Sequence, residues 1–431
     1  MGVTHIMRIL VLSDEVWNDK INGNNVTSNW FEGMDAEFAN IYASPGMPFN
    51  KCCKKYFQIT DKMMFKSIVN SKKAGKIVTN FENDINVIEE EPKRLYKFFK
   101  KITGSFLRLI REIIWLIGKY DTEELNIFIK NFNPDVIFSE RMATCKMLKL
   151  ERIIKGLTNA PIFAFTGDDE YSLQRLSFSP FFWIRRIMVR KMLRKNTKMY
   201  NIYYTLSLEQ KEYYERIFKC KCKILQKCGE FDYEYKEKII NEPIKLIYAG
   251  KFYCGRWKVL SEIAKAIREI NNDGIKLILE IYTKDIPTNK QNKLLNDGKN
   301  TFIVGAVSQE ELKNIYKKAD IALHVESKDI KNRLITRFSF STKIIDCIFS
   351  RCAVMAYCWN KQSGWTYLKR ENAGICVSNY DELKKCLNNI CINKELINEY
   401  SYKAYICGNK NHDKRRIQKV LLNDFNQYIK L

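Results

Sequence analysis

Short runs of β-branched and aromatic residues alternate with amphipathic runs along this chain, and the series starts afresh once, after Asn241-Glu242-Pro243. Alternation of this kind argues for βα units wound into parallel sheets. The first series gives strands at Arg8–Ser13, Asp135–Ser139, Ile162–Thr166 and Asn201–Leu206. The second gives Ile244–Ala249, Leu277–Tyr282, Thr301–Val304, Ile321–Val325 and Ala353–Ala356, with helices such as Trp257–Asn271, Gln309–Ala319 and Thr342–Phe349 between them. The fold class expected is therefore α/β, with two Rossmann-like doubly wound domains, 1–240 and 241–410, and a helix at 411–431 free to cross back to the first domain. Ligands in such sheets bind outside the carboxyl ends of the strands, so two such domains are expected to face each other across a cleft.

A length of 431 residues suits two or three domains, and 46% apolar with 13% aromatic residues excludes a disordered tail. A spanning helix is excluded too. The longest apolar stretch, Phe106 to Ile117, is interrupted by Arg108, Arg111 and Glu112 and falls short of the ~20 residues a span needs. The N-terminus lacks a cationic region followed by an apolar stretch, so no secretory signal is expected. Fourteen cysteines are then expected as reduced thiols, mostly small buried hydrophobes. Cys220, Cys222 and Cys228 lack the paired spacing of a zinc site, and the only histidines are His5, His324 and His412, so no metal site is expected.

Seventy-three Lys and Arg against 49 Asp and Glu give a net charge of +24, and two stretches concentrate it. Lys93–Lys119 holds eight cations against Glu112 alone, and Phe181–Lys198 holds seven with no acid. In the first, Phe106, Leu109, Ile110, Ile113 and Ile117 recur at helical steps with Arg108 and Arg111 between them: an amphipathic helix, with a break expected near Gly104. The second sets Phe181, Phe182 and Trp183 beside the cations. Three readings fit: a charged solvent face over a core, contact with an anionic membrane surface, and nucleic-acid binding.

Four loops follow predicted strands. Gly23, Asn24 and Asn25 open a helix after the first. Gly167-Asp168-Asp169-Glu170-Tyr171 puts three acids together, which is costly unless they serve a ligand, a cation or a helix cap. Gly250-Lys251 leads into Cys254-Gly255-Arg256-Trp257-Lys258, where glycines admit a close backbone approach and two cations flank a helix start, a seat suited to a diphosphate. Ser341-Thr342-Lys343 puts hydroxyls and an amine at another helix start, and Asp346 one turn on suits a vicinal diol.

These residues resemble the GT-B glycosyltransferases, in particular the retaining family-four group, over nearly the whole chain. YAGKFYCGRWKVL is similar to that family's donor-diphosphate loop, VGAVSQEELKNIYKKADIALHVES to its nucleobase-side segment, and STKIIDCIFSRCAVMAY to the helix carrying the second acid of an E-x7-E pattern. Asp346 takes that second position, while Phe338 stands where the first glutamate would be; Glu326 is the acid left to supply it.

The resemblance implies that Arg256 and Lys258 neutralise the donor diphosphate, with Gly250 and Lys251 in the same loop. Ser341, Thr342 and Lys343 would hold its phosphates and Asp346 the ribose. Asp168 or Asp169 would approach the transferred sugar or the acceptor hydroxyl, and Gly23, Asn24 and Asn25 would border the acceptor. It implies a metal-independent enzyme without cofactor, the nucleotide sugar being a substrate, with retention at the anomeric carbon. The first domain would then bind the acceptor, a saccharide carried on lipid, at the cytoplasmic face of the cell membrane, in cell-surface polysaccharide or glycolipid synthesis. The rivals are a nucleotide-sugar-binding scaffold without activity, suggested by Phe338, and a nucleic-acid-binding protein, against which the amphipathic placing of the cations speaks.

Overall fold

The computed structural model describes residues 6–20, 26–70, 72–78, 93–140, 142, 144–231 and 234–429, with the backbone alone over 93–103. It forms two compact units, Met1–Leu225 with Gln418–Leu431, and Gln226–Ile417.

The first unit carries an eight-stranded sheet: β1 (Met7–Ser13), β2 (Ala36–Tyr42), β3 (Lys55–Gln58), β4 (Lys76–Val78), β5 (Val136–Glu140), β6 (Ile162–Thr166), β7 (Tyr200–Thr205) and β8 (Cys222–Ile224). Their order is β4-β3-β2-β1-β5-β6-β7-β8, every pair parallel except β3 with β4. Ile9 to Leu12 are wholly buried, as a strand covered on both faces requires. One covering layer is aromatic: the Trp30 ring meets Phe165 at 4.7 Å, and Phe163 meets Phe425 at 4.7 Å. Phe425 comes from the last helix, Lys414–Asn426, whose Gln418 also donates to the Trp30 carbonyl at 2.8 Å.

Two differences from expectation have local causes. Strands β2, β3, β4 and β8 add to the four expected. β2 hides its period because it carries a buried Asn40, whose amide donates to the Val11 carbonyl and the Ser13 hydroxyl at 3.0 Å each; the other three span only three or four residues. The helix Lys93–Ile117 runs unbroken through Gly104. Its single acid, Glu112, is buried and accepts from Arg185 Nε at 2.8 Å and from the Cys145 amide at 2.7 Å, tying this helix to Pro180–Asn196 and to Cys145–Leu157.

The second unit has six parallel strands: β9 (Ile244–Ala249), β10 (Leu277–Tyr282), β11 (Thr301–Gly305), β12 (Ile321–Val325), β13 (Ala353–Tyr357) and β14 (Ile375–Val377). The order β11-β10-β9-β12-β13-β14 is the doubly wound one, and its direction reverses between β9 and β12. Buried Asp320 sets that junction by accepting from the Lys245 amide at 2.7 Å and the Asn241 side chain at 2.9 Å.

Candidate active site

At the reversal point β9 and β12 pair only through Ile321 with Leu246 and Ala322 with Ile247, so their carboxyl ends part, and it is outside such ends that these sheets take ligands. Gly250 follows β9. A Cβ there would lie 2.3 Å from Lys343 Nζ and 2.7 Å from the Tyr248 hydroxyl oxygen, so the position admits no side chain while Lys343 holds its place. Lys343 Nζ donates to the Ala249 carbonyl at 2.9 Å. Burial, helped by the charge of Arg256, brings its amine down to about 8. Lys343 is thus a cation at neutral pH, held without a carboxylate partner among the described residues.

Arg256 opens the helix Arg256–Ile270, capped by Gly255 at φ 76°, a left-handed conformation that favours glycine. The guanidinium makes two bonds to Glu326, directly after β12, that from Nε being 3.1 Å long. Glu326 is buried, so the pair is a fixed, desolvated feature rather than a surface ion pair. Beside it on β12, buried His324 is driven by desolvation to about 4 and is neutral; its Nε2 has no partner among the described residues. Asp329 lies close by. Burial acts to raise its carboxyl, but bonds from Ser327 and Asn332 and the charge of Lys258 outweigh that and hold it below its usual range.

The expected donor residues therefore divide. Gly250, Arg256, Glu326 and Lys343 come together. Lys258 is exposed and, two residues along the helix, lies about 200° around its axis from Arg256; Lys251 is also exposed. Thr342 caps the helix Lys343–Ile348 without a side-chain bond, next to half-buried Ser341. Asp346, one turn on, is paired with Lys227 at 2.5 Å. Phe338 is buried, with Arg337 stacked 4.0 Å over its ring.

In the first unit the three acids of the 168–170 loop have different fates. Asp169 is buried and accepts from the amides of Ser172 at 2.9 Å and Tyr171 at 3.2 Å, with Arg186 3.5 Å away. Glu170 is buried against the Tyr203 hydroxyl. Asp168 alone is exposed. Gly23, Asn24 and Asn25 lie outside the described residues. The first sheet reverses between β1 and β5, and there sits an acid that the sequence reading passed over. Glu140 ends β5, accepts from the Thr27 hydroxyl, and has its carboxyl raised by desolvation. An acid closing a predicted strand was the only signal for it.

Comparison with family models and with curated protein sequences yields no match. Comparison with solved structures does. The E. coli trehalose-6-phosphate structure bound with UDP-2-fluoro glucose superposes with a TM-score of 0.60 at 10% identity, covering 98% of this chain and 99% of that one. The fold is GT-B. WaaG, a glycosyltransferase involved in lipopolysaccharide biosynthesis, shares it at TM-score 0.57 and 12% identity, over 97% of this chain and 99% of that one. A chain of the GtfA/B complex shares it more partially, at TM-score 0.51 and 12% identity; 72% of this chain covers 61% of that one. The GT-B fold in this chain comprises the two doubly wound sheets already described. No helix among the described residues is long and apolar enough to cross a membrane.

Proposed function

We propose that this chain is a glycosyltransferase that takes a sugar from a nucleotide-diphosphate sugar and transfers it, with retention, to a saccharide carried on lipid. One observation supports this most: a GT-B fold whose second sheet has at its reversal point a half-buried ammonium, Lys343, packed against Gly250 with no carboxylate partner among the described residues. Cleaving the glycosyl–phosphate bond builds positive charge on the sugar and negative charge on the leaving diphosphate. A cation already fixed in a low-dielectric site opposes that second charge without reorganising. Lys343, beside the Arg256–Glu326 pair, would do so with no divalent metal or cofactor. Asp168, the exposed acid of its loop, would serve the acceptor side.

The first unit supports a membrane-borne acceptor. Phe178 is fully exposed, and Leu173, Leu176, Phe181, Ile184, Ile187, Phe106 and Ile113 are exposed with it, the Phe106 and Phe181 rings 4.9 Å apart. Exposed Arg108, Lys191, Arg194 and Lys195 share these helices. Apolar side chains among cations suit the anionic cytoplasmic face of a membrane, where such an acceptor would present its sugar.

The test is a thermal-shift screen against UDP, GDP, ADP and their sugar conjugates, with R256A as control. A ligand that binds only the folded state raises Tm by mass action. Stabilisation by one nucleotide series, lost in R256A, is expected; no shift at millimolar ligand would sink the proposal. Binding without turnover of the matching nucleotide sugar would favour the scaffold reading, for which Phe338 in place of a glutamate is the observation.

A further inference from the structure

The carboxylates around the reversal point of the second sheet are all engaged. Glu326 is held by Arg256, Asp329 by Ser327 and Asn332, and Asp346 by Lys227. Among the described residues two half-buried cations there have no such partner. One is Lys343, already given to the diphosphate. The other is Arg333, on the helix Ile330–Thr336 that follows β12.

Arg333 is held rather than free. Its guanidinium lies 5.2 Å over the ring of Trp359, which follows β13, so it bridges the carboxyl ends of two adjacent strands. Its Nε is buried and makes no hydrogen bond, and no carboxylate pairs with it among the described residues. A guanidinium fixed on an aromatic face keeps its charge and loses little freedom on meeting an anion. With Nε shielded, the Nη edge is the one left to do so. Arg337, one turn further, stacks on Phe338 and adds a second cation on the same segment.

We propose that Arg333 binds a carboxylate on the transferred sugar, so that the donor is a nucleotide-diphosphate uronic acid rather than a neutral hexose conjugate. This rests on the glycosyltransferase reading above. The diphosphate brings two negative charges and is met by Lys343; a uronate brings a third, planar and bidentate, which matches a guanidinium. A half-buried guanidinium with no carboxylate partner among the described residues gains more from a charged sugar than from a neutral one.

Calorimetric titration of wild type, R333Q and R333K tests this. The probes are UDP, UDP-glucose, UDP-glucuronate and UDP-galacturonate, with GDP, GDP-mannose and GDP-mannuronate as the second series. In wild type at least one uronate conjugate is expected to bind ten-fold or more tighter than its neutral counterpart. R333Q should erase that preference while leaving the bare nucleotide diphosphate unchanged, and R333K should restore it in part. Equal affinity for neutral and carboxylated conjugates in wild type overturns the inference even if R333Q fails to fold. A ten-fold loss of bare UDP or GDP in R333Q overturns it too, because Arg333 then belongs to the diphosphate. If only ADP binds, the same comparison is made with ADP-glucose and ADP-glucuronate; if none of UDP, GDP and ADP binds wild type, the glycosyltransferase reading falls, and this inference with it.

Discussion

Lys343 sets a pH dependence that can be worked out in advance. Its amine falls from the ordinary 10.5 to about 8 because burial beside Arg256 disfavours the charged form, at a cost of about 3 kcal/mol. A phosphate oxygen at ~4 Å returns about 4 kcal/mol per charge pair at an effective dielectric constant of 20, enough to restore the proton. Donor binding should therefore need the ammonium and weaken as pH rises through 8. The protonated fraction falls from about nine-tenths at pH 7 to one-tenth at pH 9, so a nucleotide-diphosphate sugar, whose own phosphates do not titrate there, should bind about ten-fold more weakly at pH 9. Calorimetry in two buffers of different ionisation enthalpy should show proton uptake on binding above pH 8, and K343M should bind weakly with a flat profile. The empty protein has the opposite trend. The folded value lies below the unfolded one, so between pH 8 and 10.5 the unfolded chain holds more of the proton and stability rises with pH, by about 2 kcal/mol from pH 7.5 to 9.5 relative to K343M. A wild-type affinity constant to pH 9.5, or a K343M variant that keeps the wild-type slope, would refute the reasoning.

G250A should push Lys343 Nζ aside and press on the buried Tyr248 ring, weakening donor binding about ten-fold by calorimetry and lowering stability by about 1–3 kcal/mol. E326Q strips the half-buried Arg256 of its counter-charge and should lower stability by about 3 kcal/mol in urea titration. D169A, which takes the acceptor from two amides and the carboxylate from Arg186, should cost about 2 kcal/mol, whereas exposed D168A should change stability by under about 0.5 kcal/mol and reduce turnover instead. F178D/F181D should abolish co-sedimentation with phosphatidylglycerol vesicles while leaving nucleotide binding untouched; undiminished sedimentation would place the contact elsewhere.

The architecture was legible wherever a strand is long and mostly apolar. β1, β6, β9 and β12 show themselves by runs of Ile, Leu, Val and Phe that need burial on both faces. β4, β8 and β14, at three residues each, are too short to show a period, and Asn40 breaks that of β2 by bonding inward. The site was legible as a set of loops but not as a set of partnerships. Arg256 and Lys258 read alike in sequence, yet helical geometry sends them to different faces. The three acids of residues 168–170 read alike too, and only backbone curvature decides that Asp169 folds back on its own turn while Asp168 meets solvent. Arg333 carried no signal, because what distinguishes it is Trp359, a neighbour 26 positions away that only the β13 crossover delivers.

The last helix has a consequence for how the chain is made. Tyr204 donates to Asp424 at 2.8 Å across 220 positions, and Phe425 closes the aromatic layer over β6. Residues 226–417, one uninterrupted stretch, can complete their own sheet as soon as they emerge, whereas the first unit, begun earlier, waits for its final helix with Phe138 and Phe163 uncovered. Vectorial synthesis thus finishes the second unit before the first. Loss of the closing dozen residues would leave a second unit able to fold and a first unit with an open, aggregation-prone aromatic face.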